Sequence, residues 1–420
     1  MAGRADDVIS ALYRSDWGRI LATVIRLTGD FTIAEEATQE AFEAAVGRWR
    51  EDGPPEHPRA WLIQTARHVA IDRIRRTKVL AGKLETIAAD LEESAEPAAA
   101  MEIPDDRLRL IFTCCHPALA LEAQVALTLR TLVGLDTEEI ARAFVVPVAT
   151  MAQRLVRAKR KITDAGIPYV VPETSEMPER LHAVLTVLYL VFTEGYAATS
   201  GASMVRSDLS AEAIRLTRVV RSLAGRDPPS EVTGLLALML LHDARREARL
   251  DAAGDLVLLD DQDRGRWNQA QIAEALPLAE DALRGEPGPF ALQAAIAAVH
   301  GRAKRKEDTD WPAIVRLYER LESLEPSPVL TLNRAVAVAM VDGPAAALAI
   351  VDALAKDGAL DAYHLLHAAR ADFARRVGAF ADAEASYVRA LDLVGNDSER
   401  RFLMRRLREV RELPEVRGRG

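Results

Sequence analysis

The sequence predicts an all-α protein built of several units, on three observations. Apolar residues recur at helical spacing almost throughout, alternating strand-like runs bounded by turn signals are hard to find, and Pro/Gly-rich breaks cut the helical pattern into blocks. The breaks fall at Gly53-Pro54-Pro55, Glu96-Pro97, Gly166 to Pro178, Arg226-Asp227-Pro228-Pro229 and Glu286-Pro287-Gly288-Pro289. They divide the 420 residues into a first unit 1–78, an acidic tether 79–104, a second unit 105–165, a connector 178–260 and a last unit 261–420. With 49% hydrophobic residues the chain can bury several cores. No apolar run nears the roughly 20 residues that cross a bilayer, and MAGRADDVIS has neither a basic start nor an apolar stretch, so a cytoplasmic protein without a membrane partner is expected. The two cysteines, Cys114 and Cys115, are adjacent, which is awkward for a framework disulfide and leaves no second pair for zinc. No metal or other cofactor is expected.

In the first unit, projecting Pro58 to Arg76 as a helix puts Ile63, Ala66, Ala70 and Ile74 on one stripe. Trp61, Gln64, His68, Asp72 and Arg75 fall on the other. A ring and cations on one outer face suit nucleic acid whose bases unstack onto the aromatic while the cations hold phosphate. The same pattern also fits a Trp61 packed on a neighbouring helix with solvated arginines. The net charge of -9 excludes a general polyanion binder, so any such contact must be local. From Arg59 to Lys78 the chain carries Arg59, Arg67, Arg73, Arg75, Arg76 and Lys78 against Asp72 alone; from Val148 to Ile162 it carries Arg154, Arg157, Lys159, Arg160 and Lys161 with no acid. Between the two, Glu85, Asp90, Glu92, Glu93, Glu96, Glu102, Asp105 and Asp106 face only Lys83, as in a solvated tether.

The second unit reads as helix, tight turn, helix. Leu135-Asp136-Thr137-Glu138-Glu139-Ile140 offers an N-cap followed by acids, Val145-Val146-Pro147 turns the chain, and a second helix starts at Val148. Met151, Leu155, Ala158 and Ile162 form its core stripe. Thr150, Gln153, Arg157 and Arg160 lie opposite, where Gln153 suits an adenine edge, Arg157 guanine or phosphate, and Thr150 a phosphate at the helix start. A surface helical hairpin has the same outline. In the last unit Ala275, Ala313, Ala347 and Ala383 each open a segment with further positions four and seven on, and their spacings of 38, 34 and 36 lie near the 34 of tetratricopeptide helix pairs. An alanine-rich antiparallel bundle is the other reading.

These residues resemble the extracytoplasmic-function (ECF) branch of the sigma-70 family. Asp30-Phe-Thr-Ile-Ala-Glu-Glu-Ala-Thr-Gln-Glu-Ala-Phe42 is similar to the part of region two that docks on the β′ clamp helices of core RNA polymerase. The resemblance gives that role to Asp30, Glu35, Glu36, Gln39, Glu40 and Phe42. His57-Pro-Arg-Ala-Trp-Leu-Ile-Gln-Thr-Ala-Arg-His-Val-Ala-Ile-Asp-Arg-Ile-Arg-Arg76 resembles the helix that recognises and melts the minus-10 element, which assigns His57, Arg59, Trp61, Gln64, His68, Arg73, Arg75 and Arg76 to promoter DNA. Leu119 to Ile162 resembles region four, which rides on the β flap and reads the minus-35 element; Thr150, Gln153, Arg154, Arg157 and Arg160 carry that role. One departure is Ala152, where the family commonly has a basic residue, so a minus-35 preference of its own is implied. Tyr189-Leu-Val-Phe-Thr-Glu-Gly-Tyr196, Leu238-Met-Leu-Leu-His-Asp-Ala-Arg-Arg246 and Leu258-Leu-Asp-Asp-Gln-Asp-Arg-Gly-Arg-Trp267 resemble a subgroup with a tetratricopeptide-like C-terminal extension. That implies regulation within the extension, and cooperation with a small YCII-related protein.

The competing readings are an enzyme and a helix-turn-helix regulator or scaffold that does not engage polymerase. His242-Asp243 and His116 beside Cys114-Cys115 lack the company a metal or nucleophile site needs, and no Gly-rich phosphate loop is present, so no catalytic activity is expected.

Overall fold

A computed structural model of the chain describes residues 2–80, 104–144, 146–173, 175–196, 203–251, 255, 257–395 and 397–417. Most of the acidic tether, 81–103, lies outside the described residues. The protein is all-α, with no β-strand among the described residues. None of their helices is long and apolar enough to cross a membrane. The chain forms two compact units, Met1–Val191 and Phe192–Gly420.

In the first unit, α1 (Ala2–Thr28), α2 (Phe31–Asp52) and α3 (Pro58–Leu80) pack on one another. Asp30 starts α2: its Oδ1 accepts from the backbone N–H of Thr32 and Ile33 at 2.7 and 2.9 Å, satisfying two donors that the first turn leaves unpaired. Gly53 ends it at φ 81°, a conformation that costs a residue with a Cβ, and its N–H returns to the Trp49 carbonyl at 3.0 Å. Tyr13, Trp17 and Phe42 form an aromatic cluster between α1 and α2. Of the stripe expected on α3, Ala66 and Ala70 are buried, Ile63 and Ile74 are only half-buried, and Leu62 is buried in their place. Apolar residues stand at both 62 and 63, so the pattern fits two helical phases that share Ala66 and Ala70, and the neighbours of α3 decide between them.

The remainder of the unit comprises α4 (Pro104–Cys114), α5 (Leu121–Thr128), a π-turn at Leu129–Val133, α6 (Thr137–Ala143), α7 (Val148–Asp164) and the first turns of α8 (Met177–Tyr196). Cys114 and Cys115 are free and buried, with their Sγ atoms 3.2 and 3.6 Å from the hydroxyls of Thr131 and Thr128. Burial pushes both thiols far up, Cys115 to about 12. They are packing residues, not nucleophiles.

The second unit opens with α9 (Ser203–Leu223) and α10 (Ser230–Asp243). Every residue from Val232 to Leu241 is buried, as befits a helix enclosed by α9, α11 and α12. Its Glu231 carboxylate accepts from the N–H of Phe290 and Ala291, both at 3.0 Å, and so caps α12 from outside. Eight helices follow as four successive pairs: α11 (Gln269–Ala282) with α12 (Pro289–Arg302), α13 (Trp311–Leu324) with α14 (Pro328–Val341), α15 (Pro344–Asp357) with α16 (His364–Arg376), and α17 (Phe380–Leu393) with α18 (Asp397–Arg417). Ala275, Ala347 and Ala383 are fully buried in the first helices of their pairs, and Ala313 is half-buried in α13. The first helices begin at 269, 311, 344 and 380, spacings of 42, 33 and 36. The long first interval comes from the loop between Arg302 and Trp311 with its short 3-10 turn, and Ala275 lies one turn deeper in its helix than the other three.

His242-Asp243 is a structural pair. Arg246 and Gln271 bind the Asp243 carboxylate, and an Arg245 guanidinium nitrogen stands 2.9 Å from His242 Nδ1. The ring of His300 is buried beside this group, and burial, then the Arg245 and Arg264 guanidiniums, push it down to about 4. The sign follows: between an ordinary histidine value of about 6.5 and the folded value, the unfolded chain takes up a proton that the folded chain refuses. Stability held above that window is lost as the pH falls through it, and the second unit is expected to lose about 2 kcal/mol between pH 7 and pH 5 from His300 alone. Urea midpoints measured at the two pH values check this; His300→Asn should flatten the dependence.

Candidate nucleic-acid interface

On α3 the residues assigned to DNA divide into two groups. His57, Gln64, His68, Arg75 and Arg76 are exposed. The others are drawn into the fold. Trp61 does not stand clear of the outer face: its half-buried ring lies edge-on to Trp49 at 5.4 Å, because the last turn of α2 runs beneath it. Arg59 pairs with Asp16 of α1 at 3.3 Å. Arg73 reaches back to α2 and bonds both Glu36 and Glu40. A cation thus sits on the acidic face of α2, where Glu36 and Gln39 are exposed.

The second basic helix is built more simply. Asp136 and Glu139 form a reciprocal cap at the start of α6, with Glu139 N–H to Asp136 Oδ1 at 2.7 Å and Asp136 N–H to Glu139 Oε2 at 2.8 Å. After the turn, α7 buries Met151, Leu155, Ala158 and Ile162 and leaves Thr150, Gln153, Arg157 and Arg160 exposed. The expected two-faced pattern is present at every position. Arg154 differs: it is half-buried, with its guanidinium 5.7 Å from the Phe144 ring, and so helps to hold the turn together. A groove runs along the exposed side, with Leu119, Ala120 and Ala123 on one wall and Gln153, Arg157 and Lys161 on the other.

The two modules also pack against each other within this unit. Glu35 of α2 is only 7% exposed, and its carboxylate is bound by Arg130 from the π-turn at 2.5 Å and by Lys159 from the buried side of α7. Burial alone would raise its pKa; Lys159 and then Arg130 outweigh that and hold it below the ordinary carboxylate value. Asp106, 3% exposed, accepts from Arg26 of α1 at 2.8 Å and from Arg109 at 3.1 Å. The Tyr169 hydroxyl donates to the carbonyls of Ala22 and Asp106, at 3.0 and 2.9 Å. Gly18 lies against the backbone of Leu132, where a Cβ would stand 2.6 Å from the carbonyl oxygen.

Two residues assigned to the docking face therefore lie elsewhere. Glu35 is consumed in the contact between modules, and Phe42, 5% exposed, belongs to the aromatic core; both fall on the inward side of α2. Asp30, Glu36 and Gln39 are exposed and Glu40 is half-buried. Sequence reasoning missed Arg130, Lys159, Asp106 and Tyr169. Lys159 carried one available signal, since it falls beside the apolar stripe of α7 and not opposite it. Among the described residues no group of three or more His, Cys, Asp or Glu side chains could hold a metal.

A helix-turn-helix with an exposed cationic face, preceded by a three-helix module with a second one, defines a helical protein of the DNA-binding class. Comparison with known proteins narrows this. Residues 12–79 match Sigma-70 region 2, residues 109–162 match Sigma-70 region 4, and residues 180–283 match a family of unknown function. The RNA polymerase sigma-H factor of Pseudomonas aeruginosa is 30% identical over 177 residues, 39% of this chain and 88% of that one. The probable ECF RNA polymerase sigma factor SigI of Mycobacterium tuberculosis is 27% identical over 165 residues, 38% of this chain and 56% of its own. An uncharacterized protein of Rhizobium meliloti (strain 1021) is 44% identical over 393 residues, 92% of each chain, so the similarity there runs through the C-terminal extension as well. No solved structure matches the chain. The chain belongs to the sigma-70 family, in its ECF branch, with a helical C-terminal extension.

Proposed function

We propose that this sigma factor binds core RNA polymerase through the outer face of α2, engages minus-10 DNA with α3, reads the minus-35 element with α7 and so initiates transcription. One observation carries the reading. Both matched regions keep an outward face of exposed polar and cationic side chains, His57 just before α3 with Gln64, His68, Arg75 and Arg76 on it, and Thr150, Gln153, Arg157 and Arg160 on α7, in one chain and in the order of the family. Each face alone would bind weakly; two faces held on one polymerase act as a single tethered event. Melting needs a place for unstacked bases, and the segment Gly53 to His57 with the outer edge of Trp61 is the candidate. Glu36, Gln39 and Asp30 form the docking surface on core, and Arg73 sets the position of Glu36 and Glu40. The bonds made are non-covalent; the chemistry is the polymerase's.

The extension, residues 178–420, regulates this activity. Support comes from its extent: it outweighs the two sigma regions, and its similarity to the Rhizobium meliloti relative is continuous with theirs. Run-off transcription with core polymerase and genomic promoters tests both statements. The full chain should give defined start sites that core alone does not. A chain ending at Tyr196 should change their yield; a loss means the extension is required, a gain that it inhibits, and an unchanged yield removes the regulatory role. Tight promoter binding by the free protein, with no effect of core, would favour a regulator that works apart from polymerase.

A further inference from the structure

The segment Leu258 to Trp267 has no part in the two DNA-facing modules, yet it is firmly held within the second unit. Arg264, 9% exposed, donates to the carbonyls of His300 and Ala303 at 2.9 and 2.7 Å and to the Thr309 hydroxyl at 3.2 Å. Its guanidinium lies 4.9 Å from the ring of Trp267, which is itself buried. This anchorage carries Leu259 and Asp260 to the edge of a cavity of about 420 Å³ walled by α14, α16 and α18. Val336, Met340 and Leu365 line it and remain 45%, 42% and 41% exposed, and Phe402 closes its far wall. Large apolar side chains left open to solvent inside a half-open hollow, with a few polar groups at its rim, are the usual form of a small-molecule site, and the volume suits a ligand of drug size.

The polar groups say what kind. Glu399 is paired with His364 Nε2 at 3.1 Å, and Asp372 with Arg375 at 2.6 Å and Arg376 at 3.9 Å. Asp260 makes no ion pair among the described residues. Burial, and then neighbouring Asp261, push its carboxyl above the ordinary value despite the smaller opposing effects of Arg264, Lys306 and Arg376. A negative group only partly compensated, beside an apolar hollow, is best matched by a cation on an apolar body.

We propose that the hollow between α14, α16 and α18 is a binding site for a small molecule with an apolar body and one basic nitrogen, the nitrogen set against Asp260. The Leu258–Trp267 loop is then the part of the site that confers charge selectivity, and the repeat helices supply the apolar walls. This inference stands apart from promoter recognition and is tested without polymerase.

Fluorescence titration of the full chain with monodansylcadaverine, an aromatic ring bearing a primary ammonium, should show saturable binding of one probe per chain. N-phenyl-1-naphthylamine, an uncharged aromatic of comparable size, should bind about tenfold more weakly. Asp260→Asn, a near-isosteric change at a half-buried position on the short 3-10 turn, should remove that advantage and leave the uncharged probe unaffected. Ala368→Phe, which fills the hollow, should weaken both probes, with circular dichroism confirming the helical content. Equal binding of the two probes, an unaltered preference in Asp260→Asn, or full binding to a folded Ala368→Phe chain would each overturn the proposal.

Discussion

Glu35→Ala is expected to loosen the packing of the two modules within the first unit. The substitution leaves the largely buried Arg130 and Lys159 cations, 17% and 19% exposed, with no carboxylate between them. Removing one partner of a buried ion pair typically costs about 3–5 kcal/mol, most of it the desolvation of the charge left behind. The partial exposure of both cations places this site toward the lower end. Hydrogen exchange should locate the effect: amides in α5 to α7 should exchange faster in Glu35→Ala, while α9 to α18 remain at the wild-type rate. A double change of Arg130 and Lys159 to Met should restore much of the protection, since the buried charges go together. Acid is expected to act in the same direction. The folded pKa of Glu35 is depressed, so its stabilisation is present above the ordinary value of 4.5 and is lost as the pH falls through the folded one. Uniform exchange in α5 to α7 with and without the carboxylate would mean that the contact is held by the apolar surfaces alone.

Replacing Gln153 and Arg157 together with Ala is the second change of large expected effect, and it falls on function and not on stability. Both side chains are exposed on the outer face of α7, away from the buried Met151, Leu155, Ala158 and Ile162, so the thermal midpoint should stay within about 1 °C. Each good base-edge contact is worth about 1–3 kcal/mol. Losing two should reduce occupancy of a minus-35-bearing promoter fragment by about 100-fold or more while leaving the affinity for core polymerase unchanged. Arg154→Ala should behave differently: its guanidinium rests on Phe144, so part of its cost should appear in the midpoint itself. A pair change that weakened all DNA equally, whatever its sequence, would reassign Gln153 and Arg157 from base recognition to phosphate contact.

The contrast between α7 and α3 shows where a sequence can be read and where it cannot. On α7, Val156 adjoins Leu155 but is left 64% exposed, because Gln153, Arg157, Arg160 and Lys161 leave only the phase through Met151, Leu155, Ala158 and Ile162 continuously apolar, and the exposed face follows from it. On α3, Leu62 and Ile63 adjoin, and the phase was decided by what α1 and α2 place beneath the helix. Trp61 shows the same limit: an aromatic on a basic helix reads as a stacking platform until Trp49, at the end of the preceding helix, is found against its ring. Glu35 was legible as part of an acidic helix, but not its burial, because both its partners arrive from more than ninety residues away. The repeats were legible as small residues at long intervals. The loop that lengthens the first interval was not, since its anchor, Arg264, lies in a segment whose motif alone gives no contacts.

Promoter recognition by this sigma factor requires assembly with core polymerase, and analytical ultracentrifugation of the purified full chain mixed with core RNA polymerase measures that directly. A one-to-one complex that sediments with core is expected, lost on charge reversal at Glu36 and Glu40 together with Gln39→Lys. Sedimentation of both the full chain and a chain ending at Tyr196 apart from core at micromolar concentration would contradict the proposed function.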